Sequence, residues 1–432
     1  MPRAFGLDFG TTNSALASVE LGSGVKLAQF NGKSTFRSII YFEEEEEDDD
    51  ERSLSRKLRV VAGPDAIQDY LRAKTPGRLI QSLKSHLASR LFTETQIFGD
   101  TYTLEQLIGI LLRQLRNRAE AQFGDLGSTL VVGRPVHFSG AHDRNDDEFA
   151  VHRLRQAFEN AGFHRIDLLP EPVAAAFQYQ RDLTREELVL IADFGGGTSD
   201  FSLINLRPGR LDSGEMCNLV LGNDGVGVAG DSFDGTLVRN LVAPRLGIRS
   251  KYRTQFGKLL PMPFWIYEHL EHWHHLSFLK TRKNMQTLRQ LHFQAVEPSM
   301  IEALIELVDS DLGYRLYNTI EQSKCALSEK PSTAFRFSER AINIEADLSI
   351  DQFEAWIEPK VEQINSCIGR LLRQCDVVPK DIDAVYMTGG SSFVPAIRRL
   401  FERTFVGVPI RSGQEFTSVA EGLGLYAAEL YR

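Results

Sequence analysis

The sequence predicts an α/β protein built from two similar lobes, and three observations support that fold class. Short apolar runs typical of buried strands alternate with segments whose apolar residues recur at helical spacing. The tripeptide Asp-Phe-Gly occurs at 8–10 and again at 193–195, each time after an apolar run and before a second strand pattern. A repeat separated by about 185 residues indicates two related halves of the chain.

Composition and charge narrow the class of protein further. The chain has 432 residues, 42% of them hydrophobic, and a net charge of −9, so we expect two or three domains and no nucleic acid as main partner. No apolar run approaches the roughly 18 residues of a membrane helix, and the N-terminal residues enter a strand pattern directly. These features predict a cytoplasmic protein with no membrane partner.

The cysteines predict neither a disulfide framework nor a zinc site. They lie far apart or at spacings that fit neither arrangement, so reduced thiols in the core are expected. The four are Cys217, Cys325, Cys367 and Cys375.

The first lobe opens with a strand, a tight turn and a returning strand. Asp8 ends the first apolar run, and Gly10, Thr11 and Thr12 form the turn. A glycine has no Cβ atom, so the N–H groups of such a turn can approach a ligand closely and surround an anion. Strands of this lobe are expected at 3–9, 13–20 and 25–30.

The second copy of the motif is richer in glycine. Residues 188–192 are typical of a strand buried on both faces, and Asp193 follows them. An ordinary glycine hairpin is the alternative, but an Asp before the turn and Thr-x-Asp after it favour phosphate together with magnesium, which prefers oxygen ligands. Neither copy continues as a P-loop or a GxGxxG fingerprint. The second turn consists of Gly195, Gly196, Gly197 and Thr198.

Helical and strand patterns fill the rest of the first lobe, with one acidic interruption. Nine consecutive acids at 43–51 predict an exposed loop, or alternatively a site for a basic regulator or additional cations. The other expected elements are a strand at 60–62, a helix opened by Gly63-Pro64-Asp65, an amphipathic helix at 78–90, a helix from a Thr103–Gln106 capping box to about 122, a helix at 147–162 and a strand at 164–169.

An alanine-rich helix follows Pro170, and its small residues 174–176 predict close packing against a neighbour. Glu171 lies between two prolines at its start, where an acid is also favoured by the helix dipole. Beyond it the sequence predicts strands to about 222, a helix at 313–328 and a helix that starts at Ser349 with Gln352 and breaks near Pro359.

Residues 248–297 contain a histidine-rich stretch. Metal ligation is the weaker interpretation because no carboxylate–histidine pattern such as HExxH is present, so a surface helix and contact face is favoured. The histidines are His269, His272, His274 and His275.

Five segments resemble, in order, the motifs of DnaK-like heat-shock chaperones, a branch of the actin, sugar-kinase and heat-shock ATPase superfamily. The resemblance covers nearly the whole chain but only the ATPase half of such a chaperone, so a stand-alone ATPase domain without a peptide-binding domain is expected. The segments are GLDFGTTNS at 6–14, LLPEPVAAAFQY at 168–179, LIADFGGGTSDFSL at 190–203, IEQSKCALS at 320–328 and VYMTGGSSFVPAIRRLFERTF at 385–405.

The resemblance implies an actin-like ATPase fold with two ribonuclease-H-like lobes, peripheral subdomains and a central nucleotide cleft. Lobe I is expected at 1–184, with a subdomain insert at about 39–102 and a returning C-terminal helix at 412–432. Lobe II is expected at 185–411, with an insert at about 223–349.

The resemblance also implies that ATP or ADP binds with Mg²⁺ in that cleft. Asp8 and Asp193 would hold the metal through its water shell, and Glu171 would orient the attacking water. Lys84 and Thr198 would contact the γ-phosphate, although a lone lysine of an amphipathic helix is ordinarily solvated. The phosphates would be bound by Gly10, Thr11, Thr12, Asn13, Gly195, Gly196, Gly197 and Thr198, and the rest of the nucleotide by Gly230, Asp231, Glu321, Lys324, Ser328, Gly389, Gly390 and Ser391.

Three positions depart from the family pattern. Cys325 and Phe393 stand where the family has arginines that stack on adenine, and Phe416 stands where it has an aspartate. Apolar contacts would therefore replace a cation–π arrangement, and adenine affinity is the property expected to change.

The expected function is slow ATP hydrolysis by a chaperone-like protein, with unfolded proteins, a co-chaperone or an exchange factor as candidate partners. A nucleotide-gated binding module or actin-like scaffold with negligible turnover is one alternative. A small-molecule kinase of the same superfamily is the other.

Overall fold

The chain forms two compact units. The larger comprises residues 1–229, 363–392 and 397–432, and the smaller comprises 230–362 and 393–396. The computed structural model describes residues 3–20, 24–45, 57–73, 77–208, 219–272, 275–413 and 417–431. Among these residues, no helix is both long enough and apolar enough to cross a membrane.

Strands occur in both units. In chain order they are β1 (Arg3–Phe9), β2 (Asn13–Glu20), β3 (Gly24–Leu27), β4 (Phe36–Arg37), β5 (Ile39–Glu45), β6 (Lys57–Ala62), β7 (Arg78–Gln81), β8 (Glu94–Ile97), β9 (Asp100–Thr103), β10 (Thr129–Arg134), β11 (Arg165–Pro170), β12 (Glu187–Phe194), β13 (Ser199–Leu206), β14 (Val220–Val226), β15 (Lys251–Arg253), β16 (Leu259–Pro261), β17 (Ser332–Glu339), β18 (Ile342–Ser349), β19 (Ala384–Thr388) and β20 (Ile410–Ser412).

Helices separate these strands. They are α1 (Pro64–Arg72), α2 (Leu104–Phe123), α3 (Arg144–Asn160), α4 (Glu171–Gln180), α5 (Gly230–Leu237), α6 (Phe264–Leu270), α7 (Leu276–Leu279), α8 (Arg282–Gln294), α9 (Pro298–Asp309), α10 (Gly313–Glu329), α11 (Ile350–Gln374), α12 (Pro395–Thr404) and α13 (Ser418–Leu430). Short 3₁₀ turns lie at Leu83–His86, Pro379–Asp381 and Gly390–Phe393, and a π-helical turn lies at Val238–Val242.

The larger unit contains two mixed sheets with the same strand order. Read from the same end, the first runs β3-β2-β1-β10-β11, with β4 added to β2, and the second runs β14-β13-β12-β19-β20. In each sheet the strand that ends in Asp-Phe pairs antiparallel with its hairpin partner and parallel with a strand from later in the chain. This repeated order confirms the predicted α/β fold and the two related halves.

Helices α2 and α3 bury apolar side chains against the first sheet. The buried residues of α2 recur at helical spacing, for example Leu104, Ile108, Leu111 and Leu115, and join one core with Phe9. The predicted capping box is confirmed: Gln106 N–H donates to the Thr103 hydroxyl at 3.3 Å, and Thr103 N–H donates to the Gln106 side chain at 2.9 Å.

Helix α13 lies unusually close to its neighbours, because small residues face each other. A Cβ atom on Gly422 would lie 1.8 Å from the Ala174 carbonyl oxygen, and one on Gly6 would lie 2.2 Å from the Gly424 nitrogen. The alanines at 174–176 are fully buried. The predicted close packing of this alanine-rich segment is therefore confirmed, and it fixes α4, which begins with Glu171.

The smaller unit is mainly helical, with two hairpins. Helices α5 to α10 enclose a core that includes Leu237, Tyr267, Leu288 and Leu304, and the Tyr267 hydroxyl donates to the Leu246 carbonyl at 2.9 Å. The hairpins are β15–β16 and β17–β18.

The predicted amphipathic helix at 78–90 is wrong. Residues 78–81 form β7, which pairs with β5, and residues 83–86 form one 3₁₀ turn. Ser82 between them has φ of 57°, in the left-handed region, which no continuous helix tolerates. Pairing with β5 outweighs the local apolar periodicity of the segment.

Two further expectations need correction. Glu43, Glu44 and Glu45, the first acids of the predicted loop, lie in β5, where Arg59 is 3.6 Å from Glu43. The rest of the acidic run, 46–51, is outside the described residues, as are Cys217, His274 and Phe416. Pro359 does not break α11, which continues to Gln374. Proline removes only one N–H donor there, and the buried apolar face on both sides preserves the helix.

Candidate functional site

The two glycine turns face each other within the larger unit. The first, between β1 and β2, contains Gly10, Thr11 and Thr12, with Asn13 opening β2. The second lies between β12 and β13 and is closed by the Gly195 N–H donating to the Thr198 carbonyl at 3.0 Å. A Cβ atom on Gly197 would lie 3.2 Å from the Thr11 hydroxyl oxygen. The strand–turn–strand prediction is confirmed for both turns, and glycine permits their close approach.

Ser38 holds the first turn in place. Its hydroxyl donates to the Gly10 carbonyl at 2.8 Å, and its N–H donates to the Thr12 carbonyl at 2.9 Å. A Cβ atom on Gly10 would lie 2.0 Å from the Asn13 carbonyl oxygen. The turn's carbonyls are thus satisfied by protein, and glycine is required at its first position.

Three aspartates, Asp8, Asp193 and Asp200, lie in the strands next to the two glycine turns. Burial, then Glu171, raises the pKa of Asp8 to about 7, with partial opposition from Lys84. Burial, followed by Glu171 and Asp8, raises the pKa of Asp193 well above its usual range. Desolvation of the carboxylates is the larger cause, and repulsion from neighbouring carboxylates adds to it.

Asp200 is a site residue that the sequence interpretation did not assign. It lies opposite Asp193 in the β12–β13 register and accepts a hydrogen bond from Val136 N–H at 2.7 Å. Burial, then Glu171, raises its pKa to about 7, although Thr198 donates to it. The available signal was the Thr-x-Asp sequence after the second turn.

Lys84 and Glu171 form a buried ion pair. Their Nζ and Oε1 atoms are 2.6 Å apart, and the residues are 7% and 6% exposed. Burial alone would lower the pKa of Lys84, but Glu171 and Asp8 outweigh that effect and raise it. The lysine is therefore the charged group that offsets the carboxylates, and the alternative of a solvated lysine is wrong.

The loop between β19 and α12 reaches the second turn. Gly389 has φ of 83°, and a Cβ atom there would lie 2.0 Å from the Phe194 carbonyl oxygen. The 3₁₀ turn that starts at Gly390 contains Ser391, whose hydroxyl donates to the Gly195 carbonyl at 3.4 Å. Three predicted site residues of this loop thus lie beside the glycines of the second hairpin.

The remaining predicted residues lie in the smaller unit. Gly230 and Asp231 begin α5, while Glu321, Lys324 and Ser328 lie along α10. Lys324 is 2.8 Å from Asp234 and donates to the Gly230 carbonyl at 3.3 Å. Asp234 is a second unassigned residue; burial, against the effect of Lys324, raises its pKa to about 6.

Two of the positions that depart from the family pattern, Cys325 and Phe393, are accessible to solvent. Phe393 is half exposed, and Cys325 is an exposed free thiol rather than a core one. Cys367 is buried, as expected.

The histidine-rich stretch is compact. The rings of His269 and His275 are 5.5 Å apart and those of His272 and His275 are 5.1 Å apart. In the described ranges, no group of three or more His, Cys, Asp or Glu side chains is placed to hold a metal ion directly.

Comparison with known proteins identifies the family. The family model for Hsp70 protein matches residues 4–245 and 302–430. The chain belongs to the Hsp70 family. Membership confirms the resemblance to DnaK-like chaperones and the actin-like ATPase fold that it implies.

The similar curated proteins are longer than this chain. The chaperone protein DnaK of Thermotoga petrophila is 25% identical over 427 residues, which is 98% of this chain and 59% of that protein. DnaK of Thermus thermophilus is 24% identical over 443 residues, which is 100% of this chain and 61% of that protein. The chain therefore spans about three fifths of the length of these relatives. Residues 246–301, which include the histidine-rich stretch, lie outside the Hsp70 match.

Proposed function

We propose that this Hsp70-family chain binds ATP or ADP with Mg²⁺ at the two glycine turns and hydrolyses ATP slowly. The supporting observation is the buried Lys84–Glu171 ion pair at 2.6 Å beside three buried or partly buried aspartates. Several buried charges so close together are stabilised when a bound ligand supplies groups of opposite charge.

The residues present fit a hydrated magnesium ion. Asp8 and Asp193 have raised pKa values because their carboxylates are desolvated and repel other carboxylates. A cation reverses that repulsion, and Mg²⁺ characteristically retains water while bound by one or two carboxylates. Asp8 and Asp193 would hold it through water, and the ion would supply positive charge to the phosphate oxygens.

The glycine turns would bind the phosphates. Thr11 would contribute a hydroxyl donor, and Thr198 would contribute one by exchanging its hydrogen bond to Asp200 for one to phosphate. The glycines leave the approach to the turn free of side chains. Carbonyl groups of the first turn are already occupied by Ser38, which favours an anion rather than a cation at its N–H groups.

Glu171 and Lys84 would act on the reacting atoms. The Glu171 carboxylate would orient a water whose oxygen bonds to the γ-phosphorus as the bond to the β,γ-bridging oxygen breaks, releasing ADP and phosphate. Lys84 would transfer part of its ion pairing from Glu171 to the γ-phosphate. Positioning and electrostatic stabilisation then account for most of the rate increase.

The nucleoside would contact the remaining predicted residues. Lys324, held by Asp234, and the neighbouring Glu321 and Ser328 offer donors and acceptors along one face of α10. Unfolded proteins, a co-chaperone or an exchange factor are the partners proposed for such a domain. The lobe boundaries and cytoplasmic location expected above are proposals of the same kind.

Calorimetry and single-turnover kinetics test the proposal together. We expect ATP to bind more tightly when Mg²⁺ is present, and radiolabelled ATP to be converted to ADP without added sugar. Lys84→Ala should bind ATP but hydrolyse it on the order of 10²-fold more slowly. No binding by the unmodified protein would refute the function; binding without hydrolysis would identify a nucleotide-gated module instead, and phosphate transfer to a sugar would identify a kinase.

A further inference from the structure

One segment of the smaller unit combines exposed aromatic side chains with basic charge. Residues 246–301, which the Hsp70 match omits, contain eight lysines and arginines but three glutamates, whereas the whole chain has a net charge of −9. The two most exposed phenylalanines among the described residues, Phe256 at 96% and Phe293 at 85%, both lie here.

Part of this segment forms three adjacent extended stretches, which are β15, β16 and residues 295–296. β15 pairs antiparallel with β16, and on its other side Tyr252 bridges to Ala295. Val296 N–H donates to the Lys251 carbonyl at 2.8 Å, which extends that second contact by one residue. β15 is therefore the central piece, with β16 on one side and residues 295–296 on the other.

Alternation along β15 places apolar and basic residues on one exposed face. Lys251 and Arg253 are exposed while Tyr252 between them is half-buried, as expected when successive side chains point to opposite faces. Leu259 pairs with Arg253, and Val296 lies beside Lys251, so both share the exposed face. Leu259 is 45% and Val296 55% exposed.

The two phenylalanines border this face. Phe256 is three residues from Leu259, and Phe293 is three residues from Val296, so each lies within about 11 Å of it. Leu259 and Val296 lie on opposite sides of β15, two strand spacings apart across the strands and two residues apart along them, which is about 12 Å. We name the surface formed by these six residues the hairpin patch: Lys251, Arg253, Phe256, Leu259, Phe293 and Val296.

The cations of the hairpin patch have no acidic partner among the described residues, although Arg253 donates a hydrogen bond to the Gly257 carbonyl at 3.4 Å. No described residue forms an ion pair with Lys251, Arg253 or the neighbouring Lys258, and the exposed Glu297 is the acid next to the patch in sequence. Arg289, one helical turn before Phe293, adds another exposed cation on the same side of α8.

One other exposed aromatic residue of this unit, Phe264, is covered by a cation. The guanidinium of Arg239 lies 5.3 Å from the ring centre of the half-exposed Phe264. No cation of the described residues lies over the ring of Phe256 or Phe293, and the nearest ring to Phe293 is that of His292, with the two centres 5.6 Å apart. Monomeric proteins rarely leave large apolar groups clustered on a surface unless they bind something there.

We propose that the hairpin patch docks a partner protein through a segment that alternates acidic with large apolar side chains. The cations select the acids, and the Phe, Leu and Val side chains supply the apolar contact area. β16 is only three residues long and ends in Pro261, so strand addition at its edge is disfavoured and side chains make the contact. Leu259 and Val296 cannot stack on bases, which favours protein over nucleic acid. Docking here is independent of nucleotide hydrolysis.

Fluorescence anisotropy tests the proposal with a labelled peptide that alternates Glu with Leu and Phe. Three variants of the full chain are compared: Phe256→Ser with Phe293→Ser, Lys251→Glu with Arg253→Glu, and a control, Leu91→Ser with Lys380→Glu, at exposed positions outside the segment. All substitutions are at the surface, so unchanged thermal unfolding checks that the variants fold.

We expect the unmodified protein and the control to bind equally, and each patch variant to lose at least tenfold in affinity. Added salt should weaken binding by the unmodified protein and affect the Lys251→Glu, Arg253→Glu variant little. Absence of binding by the unmodified protein, or equal binding by all variants, would overturn the proposal. So would displacement of the peptide by a single-stranded oligonucleotide, or a concentration-dependent dimer in sedimentation that the patch variants lose, which would identify nucleic acid or a second copy as the occupant.

Discussion

Single residues at the site differ in what their removal should do to stability. Lys84 is the cation among Asp8, Asp193, Asp200 and Glu171, so removing it leaves several buried carboxylates uncompensated. Removing the charge of Glu171 relieves its repulsion with the aspartates, but it also removes the ion-pair partner of Lys84. We therefore expect Lys84→Met to lower the free energy of unfolding by about 3–5 kcal/mol and Glu171→Gln to lower it less.

Urea denaturation of both variants measures this asymmetry. Arg90→Ala is a suitable control, because Arg90 pairs with Asp146 at the surface, where such pairs contribute about 1 kcal/mol or less. If Glu171→Gln proved the more destabilising change, the electrostatic description of the site would be wrong.

Asp200 should make the stability of the protein depend on pH. Its pKa is about 7 in the folded chain, against 3.8 ordinarily, so the folded state binds the extra proton between these values. Stability from this group is therefore present below about pH 4 and is lost as pH rises to 7. Asp200→Asn should remove that loss, because the amide keeps the Val136 hydrogen bond without a charge.

Thermal unfolding between pH 5 and pH 8 provides the measurement. The midpoint of Asp200→Asn should rise relative to the unmodified protein as pH increases. Parallel profiles for the two proteins would contradict the raised pKa.

At the scale of elements, the loop after β19 depends on a glycine for two separable reasons. Gly389 has φ of 83° and a would-be Cβ position 2.0 Å from Phe194, whereas Gly407 has φ of 81° and no atom within 4 Å. Ala at either position incurs the left-handed backbone strain of about 1–2 kcal/mol. Gly389→Ala should be destabilising by about 1–3 kcal/mol more, the usual range for overpacking. Equal denaturation midpoints would show that the loop moves aside.

Helix α11 contains a proline, Pro359, that should lower its stability. Pro359 is exposed inside the helix and supplies no N–H to the carbonyl one turn earlier. Pro359→Ala should therefore raise the free energy of unfolding by about 2 kcal/mol, after allowing for the freer unfolded chain. Glu358→Ala, at the adjacent exposed position, should change it by less than about 0.5 kcal/mol. A destabilised Pro359→Ala protein would indicate that the proline geometry is used in packing.

For the whole molecule, bound nucleotide should stabilise the fold by mass action. At about 100 times the dissociation constant, Mg²⁺ with ATP should add roughly 2.7 kcal/mol. Asp8→Asn and Asp193→Asn should keep a shift with ATP but lose its dependence on Mg²⁺, since each removes one carboxylate from the water shell. Differential scanning fluorimetry measures this, and a magnesium-dependent shift that survived both changes would place the ion elsewhere.

Local patterns in the sequence were sufficient to predict the repeated hairpins, the capped helix at Thr103, and the family to which the chain belongs. These features depend on neighbours within a few residues: a glycine that frees φ, a threonine that satisfies an N–H group, an alternation that buries one face. The local structure that these patterns predict therefore changes little when the rest of the chain packs around it.

The tertiary structure alone decided the conformation around Lys84, the continuity of α11 at Pro359, and the contribution of Asp200 to the site. Residues 78–90 carry a helical pattern, but strand β5 offers them pairing that a helix would forfeit. The pKa of Asp200 depends on Glu171, which lies 29 residues away in the chain and adjacent in space. Long-range pairing and desolvation are collective properties of the packed chain, so no local window of sequence contains them.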